Sequence, residues 1–190
     1  MLYMILLHQQ FKHPGAPKVA PSTSTSQLSS TPFPESDIGN ITLALQTLGS
    51  FNFGAHLPLQ LVQNVADMYL YSEHKSIRLE AVKTCTALLV PALLPPTIFT
   101  TPFVQFSQAS SQVVAEVLRK LLTVGITDTD EEVRECVLLS LDEKFDTHLA
   151  QAENLTSLFI AIYDGVFRIR ELAMCTIGRL SNLNPAYVMP

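Results

Sequence analysis

Asp164-Gly165-Val166-Phe167-Arg168-Ile169-Arg170 decides the fold of this chain, because variants of it occur twice more. They are Ser72-Glu73-His74-Lys75-Ser76-Ile77-Arg78 and Asp128-Thr129-Asp130-Glu131-Glu132-Val133-Arg134. Each is a polar turn that ends in a β-branched residue and an arginine, and each opens an apolar helical pattern. Aligned on the arginines, Ala81, Val137 and Ala173 follow three residues on, and Cys85, Leu141 and Ile177 follow seven residues on. Six residues before stand Ser72, Asp128 and Asp164, with Glu73 supplying the acid in the first copy. One supersecondary unit, repeated because it cannot bury its apolar face alone, marks a repeat array. Such arrays serve as surfaces or spacers more often than as catalysts.

The rest of the chain extends this pattern. Ile38, Ile41, Leu45 and Leu48 share one helix face at spacings of three and four, with Gly49 and Gly54 marking its exit. A second helix is predicted over about 58–71, with Pro58 in its first turn. A third begins near Lys75 and stops before Pro91. Val114, Val117, Leu118, Leu121 and Leu122 form another stripe, closed by Gly125. Thr129 and Glu132 have the spacing of a capping box for the helix that buries Val133, Val137, Leu141 and Phe145. Leu155, Leu158, Phe159 and Ile162 then face Ile169, Leu172, Ala173, Thr176, Ile177 and Leu180 across the turn at Asp164-Gly165. Asn184-Pro185 reads as a cap and first turn. No stretch alternates as a strand would. The predicted fold is therefore all-α, a HEAT-repeat α-solenoid of antiparallel helix pairs. Residues 1–13 are read as the remnant of a preceding helix, 14–36 as a Pro/Ser/Thr-rich linker, and 37–190 as the repeats. Residues 91–106, rich in Pro, Thr and Phe, are read as an irregular connection.

Composition narrows the function. Hydrophobic residues at 47% exclude a disordered chain, and charged residues at 15% are few for a free-standing one, so part of the surface is expected to be covered. A net charge of −5 with no basic run gives nucleic acid no purchase. Cys85, Cys136 and Cys175 lie far apart on apolar helical patterns, without metal-ligand spacing, and read as buried reduced thiols. The apolar start, Leu2 to Leu7, lacks a basic flank and a cleavage site, and no run approaches the roughly 20 apolar residues of a membrane span. Without a secretory signal, the sequons at Asn40 and Asn154 read as chance.

The turn-acid and helix-arginine pattern resembles HEAT repeats, in which these residues form a ladder along the solenoid. Arg78, Arg134 and Arg170, with Asp128 and Asp164, are the ladder that the resemblance implies. Arg offers five donors in a rigid fork, suited to turn carbonyls and a carboxylate together. Longer strings resemble the N-terminal HEAT region of the target-of-rapamycin (TOR) protein kinases. They include Thr47-Leu-Gly-Ser-Phe-Asn-Phe53, Leu139-Ser-Leu-Asp-Glu-Lys-Phe-Asp146, His148-Leu-Ala-Gln-Ala-Glu-Asn154 and Gly178-Arg-Leu-Ser-Asn-Leu-Asn-Pro-Ala186. The strings run in the family's order over most of residues 41–190, whereas Pro95 to Phe103 departs from it.

That resemblance implies a scaffold segment of a Ser/Thr kinase active in nutrient and growth signalling. ATP and Mg would be cofactors of the full-length kinase and not of this segment. The implied partners are the remaining repeats, accessory subunits such as Raptor, and a second TOR copy. The implied location is the cytoplasm, with recruitment of the complex to the lysosomal membrane surface. The segment has no Gly-rich phosphate loop and no catalytic-loop motif, so no catalytic, cofactor-binding or metal residue is assigned in it. Asp142, Glu143, Asp146 and His148 are the densest ionisable cluster, but their spacing matches no oxygen-ligand loop, and a solvated helix end is the preferred reading. Phe51 and Phe53, with Phe99, Phe103 and Phe106, are read as packing against neighbouring repeats rather than as a docking patch. The alternative function is a stand-alone HEAT adaptor, which would need polar capping repeats at both ends.

Overall fold

Helices arise where apolar residues recur at three and four, and they end where the next polar turn begins. The computed structural model describes residues 35–51, 53, 59–93 and 108–188. The expected helix remnant at 1–13, most of the 14–36 linker, Gly54, Pro58 and the 94–106 connection with its three phenylalanines lie outside the described residues. The described helices are α1 (Glu35–Ser50), α2 (Leu59–Tyr69), α3 (Lys75–Leu93), α4 (Gln108–Thr127) and α5 (Glu131–Ser140), followed by α6 (Asp146–Leu149), α7 (Ala152–Ala161), α8 (Phe167–Leu180) and α9 (Pro185–Val188). A 3₁₀ turn at Glu143–Phe145 precedes α6. No strand occurs among the described residues.

Packing gives two layers. Helices α2, α4 and α7 stack side by side in one layer, and α3, α5 and α8 stack in the other. Each α2–α3, α4–α5 and α7–α8 pair packs across a short turn, so the two members run antiparallel. Helix α1 packs on α3 at one end of the second layer, and α9 packs on α8 and α7 at the other end. The fold is an all-α solenoid. One continuous apolar core runs between the layers, with Leu45, Leu88, Leu118, Leu141, Phe145, Leu158 and Leu180 buried in it. Burial of a Leu or Phe side chain contributes about 1.5–3 kcal/mol, so this shared core holds the array together.

The structure corrects several local expectations. Helix α1 starts at Glu35, two residues earlier than the linker boundary predicts. Helix α3 passes through Pro91 to Leu93 instead of stopping before it. The proline deprives only the Ala87 carbonyl of its helical donor, on an exposed residue, while Leu93 still packs on the core. Gly125 does not close α4. It lies inside the helix, where a Cβ would come within 2.9 Å of Val137 Cγ1, so its missing side chain lets α5 approach. The capping box at Thr129 is not formed either. Asp130 is the N-cap, without a side-chain cap bond, because its carboxylate is drawn to Arg78 and Lys75.

Candidate functional site: the arginine-carboxylate seam

The three turn sequences become three equivalent corners of the second layer. In each corner Nη1 of the arginine donates to the carbonyls six and five residues back. Arg78 reaches Ser72 O at 2.9 Å and Glu73 O at 3.1 Å. Arg134 reaches Asp128 O at 2.7 Å and Thr129 O at 3.4 Å. Arg170 reaches Asp164 O at 2.8 Å and Gly165 O at 3.1 Å. Short polar turns leave such carbonyls without backbone partners, and the arginine on the first helical turn supplies the missing donors.

The other edge of the guanidinium links one corner to the next. Arg78 grips Asp128 with Nε–Oδ2 at 2.7 Å and Nη2–Oδ1 at 2.9 Å. Its Nη2 also donates to Asp130 at 2.7 Å. Arg134 grips Asp164 in the same two-pronged way, at 2.8 and 3.1 Å. Each aspartate therefore accepts from the preceding arginine with its side chain and from its own arginine with its carbonyl. The same side chains also fold their own turns. Asp128 Oδ1 accepts from Asp130 N at 2.9 Å, and Asp164 Oδ1 accepts from Val166 N at 2.8 Å. At the first corner Ser72 Oγ takes this turn-forming role, accepting from His74 N at 3.3 Å. Glu73, expected to supply the acid there, is exposed and contributes only its carbonyl to Arg78.

Burial strengthens the seam. The Arg78 and Asp128 side chains are 10% and 6% exposed, and those of Arg134 and Asp164 are 14% and 7% exposed. Bidentate pairs at this depth are shielded from salt, and removing one partner strands the other. The Arg134 guanidinium holds the Asp164 carboxyl below its usual range, aided by Val166 N–H and against the cost of burial. The hydrogen bonds to Asp128 and Asp164 likewise raise the Arg78 and Arg134 guanidinium groups, so these stay charged at any accessible pH.

Sequence reasoning missed three further ties between helix pairs. Lys120 on α4 bonds Asp67 on α2 and Glu116 one turn back, and Glu116 accepts from Gln63. Arg179 on α8 clamps Asp146 at 2.9 Å and the Leu141 carbonyl at 3.1 Å. Asn184 donates to the Ala150 carbonyl at 2.7 Å. These contacts occur once each, so no repetition in the sequence flags them. The Arg179 clamp also answers the ionisable cluster, since Asp146 pairs with Arg179 and Asp142 with Lys144. Burial lowers the His148 imidazole below its usual range.

The remaining reactive groups are subdued or out of register. Burial pushes the Cys85 thiol up to about 12, and Cys136 is half-buried. Cys175 is exposed, contrary to expectation, because Ala173 and Ile177 on either side take the inward face of α8. Phe51 is exposed while Phe53 packs on the core. Tyr69 Oη is buried with no hydrogen-bond partner among the described residues, and burial pushes its phenol up to about 12. Among the described residues no three His, Cys, Asp or Glu side chains group as a metal site, and no helix is long and apolar enough to cross a membrane.

The seam ties neighbouring helix pairs together, and the comparisons with known proteins say where such a chain occurs. No family model matches it. Over 154 residues, 81% of this chain, it is 51% identical to "Serine/threonine-protein kinase mTor" of Drosophila melanogaster. It is 46% identical over 151 residues to "Serine/threonine-protein kinase tor1" of Schizosaccharomyces pombe, and 35% identical over 153 residues to "Serine/threonine-protein kinase TOR" of Arabidopsis thaliana. The chain spans about 6% of the length of these curated relatives. With matches at this level from insect, yeast and plant, each over about four-fifths of its residues, the chain belongs to the TOR serine/threonine kinase family.

Proposed function

We propose that this chain is a length of the N-terminal HEAT solenoid of a TOR kinase, a spacer and docking surface that performs no chemistry itself. The arginine-carboxylate seam carries this reading. Its buried ion pairs, Arg78 with Asp128 and Arg134 with Asp164, join one helix pair to the next, which suits a load-bearing rod. In the full-length protein, ATP and Mg would act at a distant kinase domain that phosphorylates Ser/Thr of growth-control substrates. The rod would hold that domain against the remaining repeats, accessory subunits such as Raptor and a second TOR copy. It would do so in the cytoplasm and, within the complex, at the lysosomal membrane surface. The exposed apolar residues of the α7–α8 end, Tyr163, Phe167 and Met174, are the natural docking points.

The test is a Phe167→Glu/Met174→Glu variant of the full-length kinase, which alters exposed positions only. Phosphate transfer to a peptide by the purified kinase should persist, while the size of the assembled complex on gel filtration changes. Loss of transfer with unchanged assembly would overturn the spacer reading.

A further inference from the structure

The two joints between successive helix pairs are tied differently. Between the α2–α3 and α4–α5 pairs both layers carry polar ties. In one layer Arg78 holds Asp128 and Asp130, and Lys75 meets Glu132 at 2.8 Å. In the other, Lys120 on α4 bonds Asp67 on α2, and Gln63 donates to Glu116 at 3.1 Å. Between the α4–α5 and α7–α8 pairs the ties lie on the α5–α8 side. They are Arg134–Asp164 at 2.8 Å and Arg168–Glu135 at 3.4 Å, with Arg179–Asp146 at 2.8 Å beside them. Helices α4 and α7 pack together within the apolar core, and among the described residues no hydrogen bond or ion pair joins them.

The repeat register shows what replaced the missing tie. Asp67 stands eleven residues before its corner arginine, and Lys120 stands fourteen before its own. At the next joint those two places are held by Thr123 and Thr156. Each threonine turns its hydroxyl back on its own helix, Thr123 Oγ1 donating to Arg119 O at 2.8 Å and Thr156 Oγ1 to Ala152 O at 3.0 Å. The second tie is lost likewise, since Arg119 and Ala152 hold the places of Gln63 and Glu116. Apolar contact is non-directional and lets packed helices shear, whereas charge-assisted hydrogen bonds fix spacing and orientation. We propose that the α4–α7 contact is a flexure built into this rod. The α7–α8 pair rocks about the Arg134–Asp164 seam, so α7 slides on α4 while α8 stays fastened to α5. Rocking swings the exposed Tyr163 and Phe167 relative to the first two pairs. The joint lies wholly within this chain, so it stands or falls independently of the spacer reading.

Spin labels at exposed positions of the 190-residue chain read the two joints separately. One pair, Gln60→Cys/Ala115→Cys, spans α2–α4, and the other, Ala115→Cys/Glu153→Cys, spans α4–α7. Both are built on Cys136→Ser/Cys175→Ser, while Cys85, buried and with its thiol pushed up to about 12, does not take the label. The α4–α7 distance distribution should be about twice as broad as the α2–α4 one. Thr123→Asp/Thr156→Lys, which installs the missing tie, should narrow it to match. In the opposite sense, Lys120→Gln should broaden the α2–α4 distribution. Equal widths at the two joints of the wild type would overturn the inference, and that comparison decides even if the double variant does not fold. A double variant with unchanged helicity by circular dichroism and an α4–α7 distribution as broad as before would overturn it too.

Discussion

The α1–α3 junction and the α3–α5–α8 junctions stack the same kind of helix in the same layer, yet they are joined differently. Between α3, α5 and α8 the contact is sealed by buried bidentate ion pairs, Arg78–Asp128 and Arg134–Asp164. Between α1 and α3 it is sealed by packing and one hydroxyl. Gly49 lets α1 approach until a Cβ there would lie 3.3 Å from Thr84 Cα, and Thr84 Oγ1 donates to Leu45 O at 2.9 Å. Helix α1 carries no arginine or lysine, and the corner facing it carries Ser72 where the later corners carry aspartate. Donor and acceptor are missing together. An aspartate at this corner without an arginine on α1 would be a buried unpaired charge costing several kcal/mol, so the neutral Ser72 suits it.

The comparison breaks most visibly at Arg134. Arg134→Ala strands the Asp164 carboxylate and two turn carbonyls, and should cost about 3 kcal/mol in denaturant unfolding. A loss of a few tenths would mean that the seam contributes no more than the apolar junction. Gly125→Ala should cost about 1–2 kcal/mol despite the better helix propensity of alanine, since the new methyl meets the stiff, branched Val137. Much of that cost should vanish in a Val137→Ala background, and a purely additive double mutant would reject steric contact as the cause. At the other junction, Thr84→Val should cost about 1 kcal/mol, because it removes one hydrogen bond at nearly constant volume. If it proves as damaging as Arg134→Ala, the two junctions are equivalent after all.

The smallest effect is the acid dependence, and its sign follows from Asp164. Its folded carboxyl titrates below the ordinary aspartate value, so its contribution is complete above that value and disappears as pH falls through the lower, folded one. The half-buried His148, also lowered, acts in the same direction from about pH 6.5 downward. Stability should therefore fall on acidification. Asp164→Asn should flatten the part of the curve below about pH 4, as followed by thermal melts. An unchanged slope in that variant would place the acid sensitivity elsewhere.

How much was legible in the sequence depended on repetition. The corners were readable because Arg78, Arg134 and Arg170 recur with the same spacing to turn and core. Arg179 has the same chemistry and clamps Asp146, but with no counterpart in the other pairs it gives no periodic signal. Lys120 and Asp67 sit 53 positions apart, beyond any local pattern. Local punctuation misled at Pro91 and Gly125. Each is a helix breaker by propensity, but tertiary contacts outweigh the single lost bond or the conformational freedom of one residue.

By itself the sequence determined the all-α class, the helix pairs and the residues that face inward, because these follow from the period of apolar side chains and the chemistry of short polar turns. Tertiary structure alone decided which carboxylate each arginine holds. Within a turn the carbonyls lie five and six residues away and come with the helix. The aspartate arrives from 50 or 30 positions onward, and only the stacking of the next pair brings it within 3 Å.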